Sequence, residues 1–339
     1  MNFLKQMWKK KKLGFFCMLI LIALMIVAIF ADQIAPYKMV NGSLPVSISD
    51  ASLAPYFMLS AEERAAQKAS AAASGEAIHW LGTDTVGTDL LSYLIYGART
   101  SVILCIVCTA LSTLISVVIG VLSAVIGGWF DLIVQRFVDA WQCIPSMLII
   151  MLMMSIMGSG MWQLIIALSV PSGIGGSRMI RSSAISVKDS GYCSESDLLG
   201  GTIAWKSIKH VVPNILPLII ITAAGSLGGV VMMEASMDFL GYGVDVGTPS
   251  WGYIITGQGK ENMIGAPWLT IIPGLCIMLM VFAANMFGDA VRDILDPRLK
   301  GGVGSFTGDQ KKLRALAAKL SAEAEENSKK KEQKAAKTA

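Results

Sequence analysis

Long stretches without a charged residue constrain this chain more than any other feature of its sequence. The run Thr100–Phe130 contains no Asp, Glu, Lys or Arg, and Ala140–Ser177 extends the same pattern over 38 residues. A helix of about 20 apolar residues crosses the ~30 Å hydrocarbon core of a bilayer. Charged residues make up only 15% of the chain, against about a quarter in soluble domains. These features exclude a soluble globule, a disordered chain and a secreted disulfide scaffold, and they predict an all-α polytopic membrane protein.

Six transmembrane helices are predicted from the positions of the apolar runs. The runs are Leu13–Ala31, Thr100 to about Gly127-Gly128, two halves of Ala140–Ser177 separated by Gly158-Ser159-Gly160, Val211–Met233 and about Pro267–Gly288. A cleaved signal peptide is the alternative for the first run. It is disfavoured because the run is long for a signal peptide, and because cleavage after Ala31 would require a small residue where Ile29 stands. We therefore expect the first helix to be retained.

The distribution of Lys and Arg predicts which side of the membrane each segment occupies. With the N-terminus inside, the cytoplasmic segments carry 23 of the 28 basic residues, and the opposite orientation inverts that ratio. Both termini are therefore expected in the cytoplasm. The predicted organisation is a basic N-terminus with the first helix at 1–31, an extracytoplasmic loop at 32–99, a five-helix core at 100–290 with a cytoplasmic coupling loop at 178–210, and a charged cytoplasmic tail at 291–339. Within the outer loop, the small-residue stretch Ala65–Ser74 is expected to be an exposed insertion.

Residues that could carry enzyme chemistry are few. The chain has two histidines, His79 in the outer loop and His210 near the start of the fifth span, and neither belongs to a metal-binding or protease pattern. The segment Gly82–Gly87 has the two glycines of a phosphate-binding loop, but Thr88 follows where that loop requires Lys. We therefore predict a protein that is not an enzyme and has no ATPase site, cofactor or metal of its own. Such a chain either transports a solute or anchors a partner.

Charged residues are almost absent from the predicted spans, which disfavours an ion-coupled carrier because such carriers need ionisable groups within the membrane. Glu234 and Asp238, near the outer end of the fifth span, are four residues apart and therefore share one helix face. Two interpretations are open for this pair, a polar lining at the outer mouth of a translocation path or a solvated or capped helix end. Thr222 and Ser226 on the same helix are further candidates for the path, with helix packing as the alternative.

Small residues mark where helices are expected to pack closely. Gly120, Ala124 and Gly128 recur at every fourth position of the second span, and Gly225 and Gly229 form a G-x-x-x-G pattern on the fifth. Both patterns permit two helix backbones to approach each other. We expect helix–helix contacts at these two places.

The loop between the fourth and fifth spans is the most informative segment. It is a mixed polar and apolar stretch of about 30 residues that breaks at Gly200-Gly201, which predicts short helices lying against the inner surface. Tyr192, Gly200 and the ending Lys209-His210-Val211-Val212-Pro213-Asn214 have a spacing that resembles the EAA loop of ABC-importer permeases. In that family a short coupling helix within this loop docks into a groove on the ATPase.

Three further segments narrow the resemblance to the C-type subunit of the oligopeptide/dipeptide (peptide/nickel) permease family. They are the outer-loop segment His79–Ser92 with Tyr96–Arg99, the segment Glu234–Gly243 with Pro249–Gly252, and the ending Gly288–Arg298. With the coupling loop they cover most of residues 13–300 in the order that this family has. The resemblance implies the ABC type I importer permease fold and the import of di- or oligopeptides. The insertion at 38–78 and the tail after 301 lie outside it.

Partners and coupling residues are also implied by the resemblance. The implied partners are a second homologous permease subunit, two cytoplasmic subunits that bind ATP, an extracytoplasmic solute-binding protein and membrane lipid, with no nucleic acid. The implied coupling helix spans 191–202. The residues implied to couple the chain to the ATPase are Tyr192, Glu195, Ser196, Asp197, Gly200, His210, Pro213 and Asn214.

The chain departs from the family pattern at a few positions. Glu195-Ser196 stands where the family usually has Ala-Ala, Asp197 replaces a residue that is commonly basic or Gln, and Thr88 replaces an Arg of the outer signature. Negative charge in a segment that docks into a groove requires matching basic residues on the ATPase, or it alters coupling. A membrane scaffold or sensor that does not transport is therefore one alternative, and an importer of nickel or another small solute is a second.

Overall fold

The computed structural model of this chain is built from helices joined by loops, and it describes residues 3–40, 42–74, 77–191, 193, 196, 200–245 and 247–295. Within these ranges the β pairing is limited to two isolated bridges, Val40–Ser43 and Thr83–Asp89. Residues 1–292 form one compact unit, and of the second unit, 293–339, the described part is the three residues that end the last helix. The prediction of an all-α protein is confirmed, and the predicted tail lies outside the described residues from 296 onward.

The helices are numbered in chain order. The first six are α1 Phe3–Lys10, α2 Lys12–Ile29, α3 Ala31–Ile34, α4 Ala61–Ser74, α5 Leu90–Ile126 and α6 Gly128–Gln142. The others are α7 Ser146–Met157, α8 Met161–Lys188, α9 Ile203–Lys206, α10 Val212–Phe239, α11 Trp251–Ile254 and α12 Trp268–Leu295. A π-helical turn, Ser207–Val211, joins α9 to α10, and a second, Ile255–Gly259, follows α11.

In the described part of the chain, four helical stretches are long and apolar enough to cross a membrane, which supports part of the predicted topology. They are α2, α5, the stretch from α9 through α10, and α12, and a fifth crossing results if α6 and α7 count as one span. The α6–α7 pair is bent by 87°, whereas the predicted third span began at Ala140 and included no break before Gly158. By itself α7 is about 18 Å long, too short for a ~30 Å hydrocarbon core. The number six therefore stays a prediction, because α8 carries Gly, Ser, Arg178 and Arg181 and is too polar to qualify by composition.

Two of the predicted helix breaks are confirmed. Gly127, with φ +70, ends α5, and Gly158 and Gly160, with φ +81 and +149, separate α7 from α8. Only glycine adopts such backbone angles without a steric penalty from a Cβ atom. The missed break lies between α6 and α7, where Pro145 directly precedes α7.

The helix contact predicted for this stripe is confirmed at Gly120 and Ala124, and the partner helix is α8. A Cβ atom on Gly120 would lie 2.7 Å from the carbonyl oxygen of Ser177, and Ala124 is 2% exposed. The prediction was wrong for Gly128, which begins α6 with φ +56 and would direct a Cβ into open space. The Ser116 hydroxyl, one turn from Gly120, donates to the backbone carbonyl of α8.

The residues of α10 that contact α12 lie one position before the predicted glycines. A Cβ on either Gly225 or Gly229 would meet no atom within 4 Å. Instead, a Cβ on Gly288 of α12 would lie 2.6 Å from the carbonyl oxygen of Ala224, and the side chain of Asn285 covers Gly228. Glycines therefore do bring α10 close to α12, but they are Gly228 of α10 and Gly288 of α12 rather than the predicted pair.

The predicted insertion in the outer loop is exposed, as expected, and it is helical. Most residues of α4 are accessible to solvent. Its alanines favour helix formation, and the Ser60–Glu63 pair begins it as a capping box, with Ser60 N donating to Glu63 over 2.8 Å.

Candidate functional site

The predicted coupling loop contains a sharp turn at the predicted glycine break. Three of the predicted coupling residues, Tyr192, Glu195 and Asp197, lie outside the described residues. Gly200 has φ +79, and Gly201 N donates to Ser196 O over 2.9 Å. A Cβ on Gly201 would lie 2.8 Å from the same carbonyl oxygen. Both glycines are thus required by the turn, the first for its backbone angle and the second for its space.

The segment after this turn is a helix that leads directly into the fifth predicted span. Thr202 caps α9 by accepting a hydrogen bond from Trp205 N over 3.2 Å. His210 lies in the π-helical turn, and its carbonyl oxygen accepts from the side-chain amide of Asn214 over 2.6 Å. Pro213, at the start of α10, lacks the N–H that an ordinary helix would need there. The wider π-helical turn accommodates that loss, so these residues form one structural joint.

An exposed apolar face lies on this joint, which sequence reasoning did not single out. Ile203, Trp205 and Ile208 are 51%, 56% and 71% exposed. The Lys209 ammonium lies 5.7 Å from the centre of the Trp205 ring, in a cation–π contact. The sequence signal was a set of large apolar residues within a loop predicted to be cytoplasmic.

Ionic contacts fasten the end of α8 that enters the coupling loop. Asp131 of α6 accepts hydrogen bonds from Arg181 of α8, over 2.6 Å from Nε and also from Nη2, and from the Ser123 hydroxyl. The Lys188 ammonium donates to the carbonyl oxygen of Ala124 over 2.9 Å, near the end of α5. Three helices are therefore joined by charged groups beside the coupling loop.

Replacing Asp131 with Asn is expected to lower the free energy of unfolding by about 1–3 kcal/mol, because a charge-assisted bidentate contact is lost. The matched control is Asp139→Asn. This change also removes a carboxylate from α6, but the Asp139 carboxylate pairs with Arg178, which is more exposed. That change is expected to cost below about 1 kcal/mol. Equilibrium unfolding of the two variants in mixed micelles measures the difference, and equal losses would contradict the assignment of Asp131 as the principal link.

The segment predicted to carry the outer-loop signature forms a tight turn held by Asp84. Its carboxylate accepts from Val86 N and Thr88 N over 2.9 and 2.7 Å. The other carboxylate oxygen accepts from the Gln258 side chain over 3.0 Å, and Gln258 accepts from Thr85 N over 3.0 Å. The turn is thereby fastened to the π-helical turn after α11.

The same segment starts α5. Asp89 accepts from Ser92 N over 2.8 Å as the N-cap, and its second carboxylate oxygen lies 2.9 Å from His79 Nδ1. Gly87 has φ +86, and a Cβ there would overlap the carbonyl oxygen of Ser47. His79 and the glycines of this segment are thus parts of a turn and a helix cap.

A surface ion pair connects α5 to the end of the first span. Arg99 lies 2.9 Å from Asp32 and donates through Nε to the carbonyl oxygen of Ala28 over 2.9 Å. Tyr96 also donates to Asp32, over 3.0 Å. The hydrogen bond from Arg99, and then that from Tyr96, lowers the pKa of Asp32 below its usual value.

Glu234 and Asp238 are buried inside the chain, at 2% and 1% exposure. Ser101 of α5 donates to Glu234 over 3.2 Å, Ser250 donates to Asp238, and Val244 N donates to Asp238 over 3.3 Å. Buried carboxyl groups require such donors. The pair therefore holds the segment after α10 against α5, and its burial excludes a solvated helix end. A capped helix end and a polar lining of a path both stay predictions.

Trp251 completes this cluster. Its ring lies against Gly97 of α5, where a Cβ would be 2.7 Å from Cδ1, and its Nε1 donates to Leu94 O over 2.9 Å. A Cβ on Gly252 would lie 2.6 Å from the Cβ of Asp238. The signature residues of two distant segments thus pack on each other, which explains their types.

The remaining residues of the predicted path are less constrained. Thr222 and Ser226 are half-buried, and their hydroxyls donate to Ile219 O and Ala223 O over 2.9 Å within their own helix. Such bonds satisfy a hydroxyl in an apolar environment. Their role in a path stays a prediction. Across the described ranges, no three His, Cys, Asp or Glu side chains are grouped so as to hold a metal ion.

The apolar spans define a polytopic membrane protein. Comparison with known proteins identifies its family. Residues 116–301 match the family described as binding-protein-dependent transport system inner membrane component. Residues 2–55 match the N-terminal transmembrane domain of oligopeptide transport permease C. The chain belongs to the binding-protein-dependent transport permeases, and the resemblance drawn from its sequence is confirmed.

Several relatives are peptide permeases by name. A putative peptide permease of Brucella suis is 32% identical over 65% of this chain and 73% of its own length. The oligopeptide permease OppC of Haemophilus influenzae is 31% identical over 68% and 73%. The dipeptide permease DppC of Alkalihalophilus pseudofirmus is 30% identical over 66% and 73%. Among solved structures, the inward-facing MetNI methionine ABC transporter is 20% identical with a TM-score of 0.45, covering 59% of this chain and 96% of that one.

Proposed function

We propose that this chain is one permease subunit of an ABC importer that takes up di- or oligopeptides. Family membership supports the transport role, and the relatives named peptide, oligopeptide and dipeptide permeases support the substrate class. In the proposed assembly the chain pairs with a second, homologous permease. Two cytoplasmic subunits bind and hydrolyse ATP, and an external binding protein delivers the peptide. The chain itself contributes no ATPase site and no cofactor.

The proposed topology has six spans with both termini in the cytoplasm. The bent α6–α7 pair and α8 would supply the third and fourth crossings, and the Lys and Arg distribution supports the orientation. The coupling segment, 191–202, then faces the ATPases, and the loop at 32–99 faces the binding protein.

The observation that carries the coupling mechanism is the continuous helical stretch from 203 to 239. It begins directly after the turn at Gly200-Gly201 and ends at the buried carboxylates Glu234 and Asp238. A helix transmits displacement along its axis, because each turn is hydrogen-bonded to the next. Movement of the coupling segment by the ATPases would therefore reach the cluster that holds Trp251 against α5.

The exposed apolar face on the joint, Ile203, Trp205 and Ile208, is the proposed contact surface beside the coupling helix. Hydrophobic side chains flanked by Lys209 suit a protein groove with an apolar floor and an acidic rim. Of the predicted coupling residues, Ser196 and Gly200 form the turn, and His210, Pro213 and Asn214 form the joint. In this proposal they position the coupling helix.

Replacing Gly200 with Val in the assembled transporter is expected to reduce peptide uptake at least tenfold, because a β-branched residue at φ +79 distorts the turn. The matched control is Gly42→Val, with φ +86 and equally open surroundings in the outer loop. The measurements are affinity purification of the tagged chain with mass spectrometry of its partners, then ATP-dependent uptake of a labelled tripeptide in proteoliposomes. Equal loss in both variants would contradict the coupling role.

A membrane scaffold or sensor is the second candidate function, favoured by the acidic departures at Glu195 and Asp197. Recovery of two ATPases, a second permease and a binding protein with the chain would contradict it. Recovery without any ATPase would contradict the importer. Uptake of labelled nickel in place of the tripeptide would retain the importer and replace its substrate class.

A further inference from the structure

The short helix α1 presents three different stripes around its circumference. Met7 is fully buried beside Gly14 and attaches the helix to the rest of the chain. Leu4 and Trp8, which lie about 40° apart at 100° per residue, are 54% and 48% exposed. Lys5 and Lys9 are exposed on the flank next to them. A helix anchored on one side thus displays an apolar stripe bordered by positive charge.

The position of α1 relative to the membrane follows from α2. The apolar span begins at Lys12, and Lys11 alone separates it from α1. Lys11 has φ −139 and ψ 67, which are not helical angles, so α1 leaves the axis of the span. A helix so close to the first residue of a span lies at the boundary between head groups and hydrocarbon.

The apolar stripe of α1 continues onto the outer surface of the first span. The Trp8 ring contacts Phe15 edge to face at 5.0 Å between centroids, and Phe16 lies 6.3 Å away. Phe16 is 54% exposed on the helix that crosses the membrane. Trp8 therefore extends a surface that acyl chains cover.

We propose that α1 lies in the membrane interface and binds anionic phospholipid head groups through Lys5, Lys9 and Lys12. Leu4 and Trp8 enter the boundary of the acyl region, where the amphipathic indole ring is most stable. The ammonium groups then lie at the level of the phosphates, and each attracts anionic lipid over a short range. Met7 fixes the rotation of the helix so that both stripes face the bilayer.

A lipid surface fits this helix better than water or a protein partner does. A solvated helix would expose Leu4 and Trp8 to water without compensation. A protein interface would have no reason to continue as the lipid-covered surface at Phe16. The row of lysines complements the negative surface potential of a membrane that contains anionic lipid.

The test uses the full chain in phosphatidylcholine nanodiscs, prepared as two series. One series contains a rising fraction of brominated phosphatidylglycerol, and the other contains a rising fraction of brominated phosphatidylcholine. Bromine quenches tryptophan fluorescence on contact, and subtraction of the Trp8→Phe variant isolates Trp8. The test variant is Lys5→Gln/Lys9→Gln. The control variant, Lys38→Gln/Lys260→Gln, removes two exposed lysines from elsewhere in the chain.

We expect both lipids to quench Trp8, and the phosphatidylglycerol to do so at a severalfold lower fraction. Lys5→Gln/Lys9→Gln should weaken the preference of Trp8 for phosphatidylglycerol over phosphatidylcholine by up to about fivefold per lysine. High salt should also weaken this preference. The control variant should keep it. Absence of quenching by either lipid would overturn the interfacial position, and equal quenching by both lipids in the unmodified chain would overturn head-group binding.

Discussion

Replacing Trp251 with Ala is expected to destabilise the chain by about 3–5 kcal/mol, the usual cost of removing a buried large aromatic side chain. Trp251 is 2% exposed and is the largest fully buried side chain in the described part of the chain. The change leaves a cavity against Gly97 and removes the hydrogen bond to Leu94 O. Equilibrium unfolding in mixed micelles measures the loss.

Two further variants separate the causes of that loss. Trp129→Ala removes the same side chain from α6, where it is 80% exposed, and should cost far less. Trp251→Phe keeps most of the side-chain volume but lacks the N–H donor. Its loss of unfolding free energy should therefore lie between those of Trp129→Ala and Trp251→Ala. If Trp251→Ala and Trp129→Ala were equally stable, the packing of segment 249–252 on α5 would be refuted.

A second large effect is expected at Gly120, where α5 and α8 approach closely. Gly120→Val should cost about 1–3 kcal/mol or more, because overpacking forces backbones apart. A Cβ at this position would lie 2.7 Å from Ser177 O and 2.9 Å from Arg181 N, and backbone atoms cannot rotate away as a side chain can.

The matched control for Gly120→Val is Gly229→Val, which makes the same change in another spanning helix with open space around it. Unfolding of the purified single chain should show a clear loss for the first variant and little for the second. The reverse order would mean that α5 and α8 are not in contact as described.

The sequence predicted the positions of several spans because the length of an apolar run is set by the bilayer and needs no knowledge of neighbours. It predicted the breaks at Gly127 and Gly158 because a positive φ restricts the residue type. It missed the bend before Pro145 because Cys143 and Ile144 keep the run apolar, so hydropathy does not change there.

Contacts between distant segments were beyond sequence reasoning. Trp251 and its hydrogen-bond acceptor Leu94 are 157 residues apart, and neither periodicity nor composition connects them. The face of α10 that meets α12 was also misjudged at Gly229, because the rotation of a helix is determined by its partners. For the same reason the burial of Glu234 and Asp238 could not be read from their spacing.

The length of α5 has a mechanical consequence. Its 37 residues form a rod of about 55 Å, roughly 25 Å longer than the hydrocarbon core. One end is capped by Asp89, and the other ends at Gly127, next to the Lys188 contact. If such a rod pivots by about 10°, one end moves by about 10 Å relative to the other. A small rotation at the Lys188 contact would therefore be enlarged along the helix into a displacement of about 10 Å at the Asp89 end.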